Sequence, residues 1–377
     1  TINEEMKLAC VRAIADLAMA EQNDVVASAY ENQELSFGPE YLIPKPFDPR
    51  LIVKIAPAVA QAAMESGVAT RPIEDMDAYI EKLQQFVYKT NLFMKPVFAA
   101  AKNDKKRVVL TEGEDERILH ATQEIVSTGL AFPILIGRPA VIEKRIENLG
   151  LKLRPGIDFE LVNNENDPRF KEYWTEYHQI MKRQGISEEL ARREVSRKTS
   201  LIGALMVRRG EADAMVCGTF GTYHMHLDLI RQVIPMEPGC KTLAAVNALM
   251  LPTGNIFVAD TYVNADPTAE QIADTTEMAA EAMQRFGIAP KVALLSHSSF
   301  GTGNNDSARK MRTALGLIQM RQPELEVDGE MQGDAALVEH IRQQAMPDSP
   351  LKGSANLLVM PNVEAANISY NLLRVSA

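Results

Sequence analysis

From Arg107 onward, short apolar or β-branched runs alternate with amphipathic stretches of helical period. VVLT (108–111), FPILIG (132–137), FELV (159–162), AMVCG (214–218), TLAAVNALM (242–250), NIFVAD (255–260), VALLS (292–296) and NLLVMP (356–361) read as strands. Helical patterns run through Ile118 and Ile125, through AVIEKRIENLG, from Pro168 to Arg209, and over 268–286 and 307–321. Such alternation predicts an α/β fold with mainly parallel sheets. About 270 residues is long for one sheet, so two lobes with a cleft between them are expected. Residues 1–90 read as a mostly helical segment. Asn3 is a candidate cap for a helix carrying Leu8, Val11, Ile14 and Leu17, and Tyr79, Leu83, Phe86 and Val87 fall on one helical face. Pro57 marks a kink or interruption of the alanine-rich stretch after Arg50. Residues 91–105 read as a linker ending in a basic, solvated run.

The totals narrow the partners. The chain has 377 residues and is 46% apolar, enough for sizeable cores. A net charge of −10 argues against nucleic acid and acidic membranes. Three cysteines, Cys10, Cys217 and Cys240, are odd in number and far apart, which predicts a reducing, cytoplasmic compartment and no disulfide framework. No run approaches the length of a membrane span, and the first residues lack a signal peptide's pattern, so the chain reads as a piece of a longer cytoplasmic protein.

Two strand-to-helix loops carry the candidate chemistry. In open α/β sheets ligands bind beyond the carboxyl ends of strands. GTFGTYH (218–224) supplies Gly218, Thr219 and Thr222; SHSSFGTG (296–303) supplies Ser296, Ser298, Ser299, Gly301, Thr302 and Gly303. Small residues let backbone N–H groups approach an anion, and the hydroxyls add donors. The alternative is that both are tight turns. Asp306, as the cap of the next helix, would repel a bare phosphate and keep any anion against 298–303. Gly301-Thr302-Gly303 begins like a dinucleotide fingerprint, but Asp306 stands where that pattern needs glycine. His224 and His226, two apart, do not share a helix face, so no metal site is expected. The basic clusters Lys182-Arg183, Arg192-Arg193, Arg197-Lys198 and Arg208-Arg209 alternate with glutamates and read mostly as a solvated face, from which one or two could reach a phosphate. No G-x-S-x-G elbow supports a serine hydrolase.

Four ordered stretches, GEADAMVCGTFGT (210–222), LLSHSSFGTG (294–303), VDGEMQGDAAL (327–337) and NLLVMPNVEAANISYNL (356–372), resemble the phosphate acetyltransferase family over about residues 106–377. Residues 1–90 resemble the C-terminal end of a bacterial malic enzyme's nucleotide-binding domain, as in hybrid NADP-dependent malic enzymes. The resemblance implies a two-lobed, isocitrate-dehydrogenase-like fold with an interlobe cleft. It implies a parent that decarboxylates malate with NADP and a divalent metal (Mg or Mn), none of whose catalytic residues lies in this chain. It also implies that active relatives hold phosphate with arginines. Here the corresponding positions carry Asp228 and Met181, with Lys182 and Arg183 adjacent to the latter, and the family's Ser-Arg segment would lie beyond Ala377. The expected role is therefore a regulatory module binding acetyl-CoA or acetyl phosphate as effector, in a homo-oligomer, with no catalytic residues, metal or cofactor of its own. The alternatives are an active phosphate acetyltransferase and a purely architectural oligomerisation domain.

Overall fold

The computed structural model describes residues 2–19, 42–44, 48, 50–251 and 254–376, and divides into two compact units. One comprises residues 98–243, the other residues 1–97 with 244–377.

In the 98–243 unit, strands β1 (Lys106–Leu110), β2 (Ala131–Ile136), β3 (Glu160–Val162) and β4 (Ala214–Val216) form a parallel sheet in the order β3-β2-β1-β4. Successive side chains of a strand point to opposite faces. Val109, Ile134 and Ile136 accordingly enter one apolar cluster with Tyr173, Val195 and Leu205. Leu110 and Leu135 enter another with Leu119, Ile142 and Phe159. Asp115 caps the helix Glu116–Thr128, accepting from Arg117 N, and Gly129 ends it at a φ of 67°, a left-handed conformation that glycine adopts freely. The stretch 168–209, expected as one long helix, is broken by Gly185 (φ 86°) and by the bend at Lys198 into helices Phe170–Met181, Glu188–Arg197 and Thr199–Arg208.

The second unit contains strands β5 (Val246–Leu251), β6 (Gly254–Ala259), β7 (Lys291–Leu295), β8 (Glu326–Met331) and β9 (Leu357–Val359), in the order β5-β6-β9-β7-β8. All its pairings are parallel except the β5–β6 hairpin. Val292 and Leu294 face one core with Met311 and Ile318; Ala293 and Leu295 face the other with Leu351 and Leu358. A capping box of Thr268 and Gln271 starts helix Ala269–Arg285.

The helix Arg50–Glu65 runs through Pro57 without ending. Residues 91–103, expected as linker, are the last turns of helix Met76–Asn103, which carries Pro96 in its interior. The alanines after Pro96 are strong helix formers and sustain the helix. Asn3 caps the first helix (Glu4–Met19) as expected, accepting from Met6 N at 3.0 Å, but Leu8 and Val11 on it are exposed. The side chains of Phe86 and Val87, and residues 20–41 of the segment expected to be helical, lie outside the described ones. The apolar face of Arg50–Glu65 lines an open groove of about 540 Å³ with Leu51, Ile55, Val59 and Ala63.

Candidate functional site

The loop after β7 answers why so many hydroxyls and glycines follow one strand. They close around a carboxylate of the chain itself. Glu330, in β8, has a fully buried side chain. Its Oε1 accepts from Ser298 Oγ at 2.7 Å, from Gly301 N at 3.1 Å and from Arg312 Nη1 at 2.7 Å. Ser298 is aimed in turn by Gly303 N, which donates to its Oγ at 2.7 Å. Thr302 Oγ1 accepts from Ser299 N at 3.0 Å, and Ser296 Oγ accepts from Ser298 N at 3.2 Å. Phe300 N donates to the Glu330 carbonyl at 2.7 Å. Ser299 Oγ accepts from Gln332 N, and Gln332 Nε2 donates to His297 O. Charge-assisted bonds of this kind are the strong ones, so the loop is tied to β8 and, through Arg312, to helix Asp306–Arg321.

That helix is capped by Asn305, whose Oδ1 accepts from Ala308 N at 2.9 Å. Asp306, expected as the cap, is instead the first helical residue, exposed and paired with Arg309. The exposed groups of the loop are His297, Gly301, Thr302, Asn304 and Asn305.

Two glycines of this loop are required for different reasons. A Cβ on Gly303 would lie 2.9 Å from Ser298 Cβ, whereas Gly301 has φ 91° and open space. Gly303→Ala is therefore expected to destabilise by about 1–3 kcal/mol through forced displacement of Ser298. Gly301→Ala is expected to destabilise by about 1–2 kcal/mol from backbone strain alone. Denaturant unfolding of the two variants measures both, and Gly303→Ala should lose the Ser298–Glu330 contact.

The 218–224 loop, in the other unit, is held in the same manner. Glu112, buried just after β1, accepts from Gly218 N at 3.2 Å and from Thr219 Oγ1 at 3.1 Å. Arg117 Nη2 donates to Thr219 O at 3.0 Å. Thr222 caps helix Tyr223–Val233, accepting from Met225 N. His226 is buried, with Nε2 2.8 Å from Phe220 O and Nδ1 2.8 Å from Ser200 Oγ. A carbonyl only accepts, so Nε2 carries a proton. His224 is exposed, so the two histidines are not brought together. Among the described residues no cluster of three His, Cys, Asp or Glu side chains could hold a metal. Phe220 on this loop, and Tyr223 and Met225 in the first turn of the helix after it, stand exposed.

Cys217 adjoins the loop. Burial, then the charge of Glu112, pushes its thiol up from the ordinary value, against a lowering hydrogen bond from Ser200. The thiolate is the reactive form. Alkylation by iodoacetamide near pH 8 is therefore expected to be at least about tenfold slower at Cys217 than at exposed Cys240. Peptide mass spectrometry over time checks this; equal rates would refute it.

Of the two positions that stand where arginines are implied, Met181 is packed in the core of its unit and Asp228 is exposed. Lys182 and Arg183 follow Met181 on the surface. The residues that sequence reading missed are Glu112, Glu330 and Arg312. Their signal was present: acids inside LTEGEDE and VDGEM, each adjoining a strand end.

The Phosphate acetyl/butaryl transferase family matches residues 92–377. The NADP-dependent malic enzyme of Salmonella typhimurium is 68% identical over 376 residues, covering all of this chain and 50% of that protein. The chain thus spans about half the length of the malic enzymes it matches. The phosphate acetyltransferase of Corynebacterium glutamicum is 33% identical over 280 residues, covering 74% of this chain and 84% of that one. The crystal structure of a phosphotransacetylase from Streptococcus pyogenes superposes with a TM-score of 0.69 at 26% identity, over 76% of this chain and 86% of that one.

Proposed function

Because this chain belongs to the Phosphate acetyl/butaryl transferase family over residues 92–377, we propose that it is a transferase-like module that binds acetyl-CoA as an effector without transferring acetyl groups, within a longer NADP-dependent malic enzyme. The observation that carries this reading is Met181. Where the resemblance implies a phosphate-holding arginine, the chain has a thioether that is buried in a hydrophobic core and cannot neutralise an anion. Asp228, at the second such position, would repel one. The strand-end loops 218–224 and 296–303 are nevertheless held by buried glutamates and partly exposed, which supports binding.

The malic enzyme part of the proposal rests on coverage. Residues 1–91 lie outside the family match but inside the malic enzyme match. The open apolar face of Arg50–Glu65 supports reading this segment as part of another domain. NADP and a divalent metal would then be held by that domain. An effector acts only if it binds two states of the protein unequally.

The test is acetyl-CoA titrated against malate oxidation in the longer polypeptide. Thr302→Trp, which adds bulk at an exposed position, is expected to lower the apparent affinity at least about tenfold while the unliganded rate is kept. A response that survives in a protein cut before residue 92 would sink the proposal.

A second, architectural reading is favoured by one observation. On helix Val363–Ser376, Ile368, Leu372 and Val375 form an exposed apolar stripe at helical spacing. If this stripe joins two copies, Leu372→Asp should halve the mass seen by light scattering; an unchanged mass argues against it.

A further inference from the structure

We propose that Glu330 is the resident occupant of an anion seat, and that an external anion uses the donors of Ser298, Gly301 and Arg312 only after Glu330 has left. The seat is built for one carboxylate oxygen. Oε1 collects three donors, at 2.7, 3.1 and 2.7 Å, from a hydroxyl, a main-chain N–H and a guanidinium. Oε2 is buried and has no hydrogen-bond partner among the described residues. A buried charged oxygen without a partner is costly unless its fellow oxygen is held strongly.

The same asymmetry fixes the ligand class. Among the described residues Glu330 pairs with one cation, Arg312, which balances one negative charge. A carboxylate puts one oxygen among the donors and leaves one behind. A phosphate would leave three oxygens in the pocket that holds the unpartnered Oε2, and its dianion would leave a second charge unbalanced. The seat therefore selects a small carboxylate over phosphate, and while Glu330 stays in place it excludes both. The loop's conspicuous hydroxyls recognise an anion, but that anion belongs to the chain. This proposal concerns the loop invoked for acetyl-CoA without depending on that reading, since its probes are acetate and inorganic phosphate.

The experiment compares the wild-type chain with Glu330→Ala, Glu330→Gln and the double variant Glu330→Ala/Arg312→Ala. Thermal midpoints are measured in sodium chloride, sodium acetate and sodium phosphate at equal ionic strength. Glu330→Ala, with an emptied seat, is expected to melt below wild type and to gain about 3 °C in acetate over chloride, with a smaller gain in phosphate. Wild type and Glu330→Gln, whose side chains still fill the seat, should gain nothing, and the double variant should lose the acetate response. If Glu330→Ala does not fold in chloride, recovery of folded protein on refolding in acetate is the readout. The proposal is overturned by an absent acetate effect on Glu330→Ala, by an equal effect on Glu330→Gln or wild type, by a response that persists without Arg312, or by a larger gain in phosphate.

Discussion

Arg342→Met is expected to lower the stability of the chain by about 4 kcal/mol, more than either alanine substitution at Gly301 or Gly303. Arg342 is fully buried. Its Nη1 donates to Ala335 O at 2.9 Å and lies 3.5 Å from Ala336 O; its Nη2 donates to Leu351 O and Gly353 O, both at 2.7 Å. One guanidinium thus satisfies carbonyls from the short helix Gly333–Leu337 and from the loop before β9, and locks helix Glu339–Ala345, which carries it, between them. Methionine keeps much of the volume but donates nothing, so at least three carbonyls lose their partners. Each such loss costs about 1–3 kcal/mol when the group stays dry, and partial relaxation toward water brings the sum down. Arg342→Lys should fall between, because an ammonium lacks the planar fork. Urea unfolding followed by circular dichroism measures the order. A methionine variant within about 1 kcal/mol of wild type would mean that the segment rearranges freely around the lost clamp.

The second large effect is catalytic. Acetyl phosphate and coenzyme A are expected to give no acetyl-CoA above the uncatalysed rate. Loss of one group that stabilises developing negative charge costs about 10²–10³ in rate. Two positions are affected here, one apolar and buried, the other acidic, so a deficit of about 10⁴ or more is expected relative to an arginine-bearing relative. Asp228→Arg alone should not restore transfer, because Met181 stays in the core. Robust turnover by the wild-type chain, abolished by Thr302→Trp, would promote the active-transferase reading.

The sequence made the α/β alternation legible where a parallel strand is buried on both faces and so reads as an unbroken apolar run, as with FPILIG in β2 and VALLS in β7. It hid β8 for the opposite reason. EVDGEM places two buried acids in the strand, Asp328 and Glu330, and they draw on partners that are distant in sequence, Ser349 for the first, beside its neighbour Gly329 N, and Ser298 with Arg312 for the second. The antiparallel β5–β6 hairpin was hidden too, since both strands are apolar and direction leaves no mark on composition.

The two loops lie between a strand and a helix, after β4 and β7, where the alternation places them. Which way the donors point was not readable. A hydroxyl-rich loop that faces a ligand and one that faces a buried glutamate have the same local sequence. Only the β7–β8 pairing, which brings Glu330 beneath Ser298 and Gly301, separates the two. The cap assignment failed by one residue for a related reason: Asn305 and Asp306 are both good caps, and the turn that ends at Gly303 decides between them.

The central claim is that this fold keeps a ligand site while lacking transfer chemistry. Calorimetric titration of acetyl-CoA into the chain, with desulfo-coenzyme A and acetyl phosphate as separate arms, tests it most directly. Saturable one-to-one heat is predicted with acetyl-CoA, weakened at least about tenfold by Thr302→Trp, and no acetyl-CoA should form when acetyl phosphate and coenzyme A are supplied together. Heat no larger than dilution at millimolar acetyl-CoA, or a binding curve unchanged in Thr302→Trp, would contradict it.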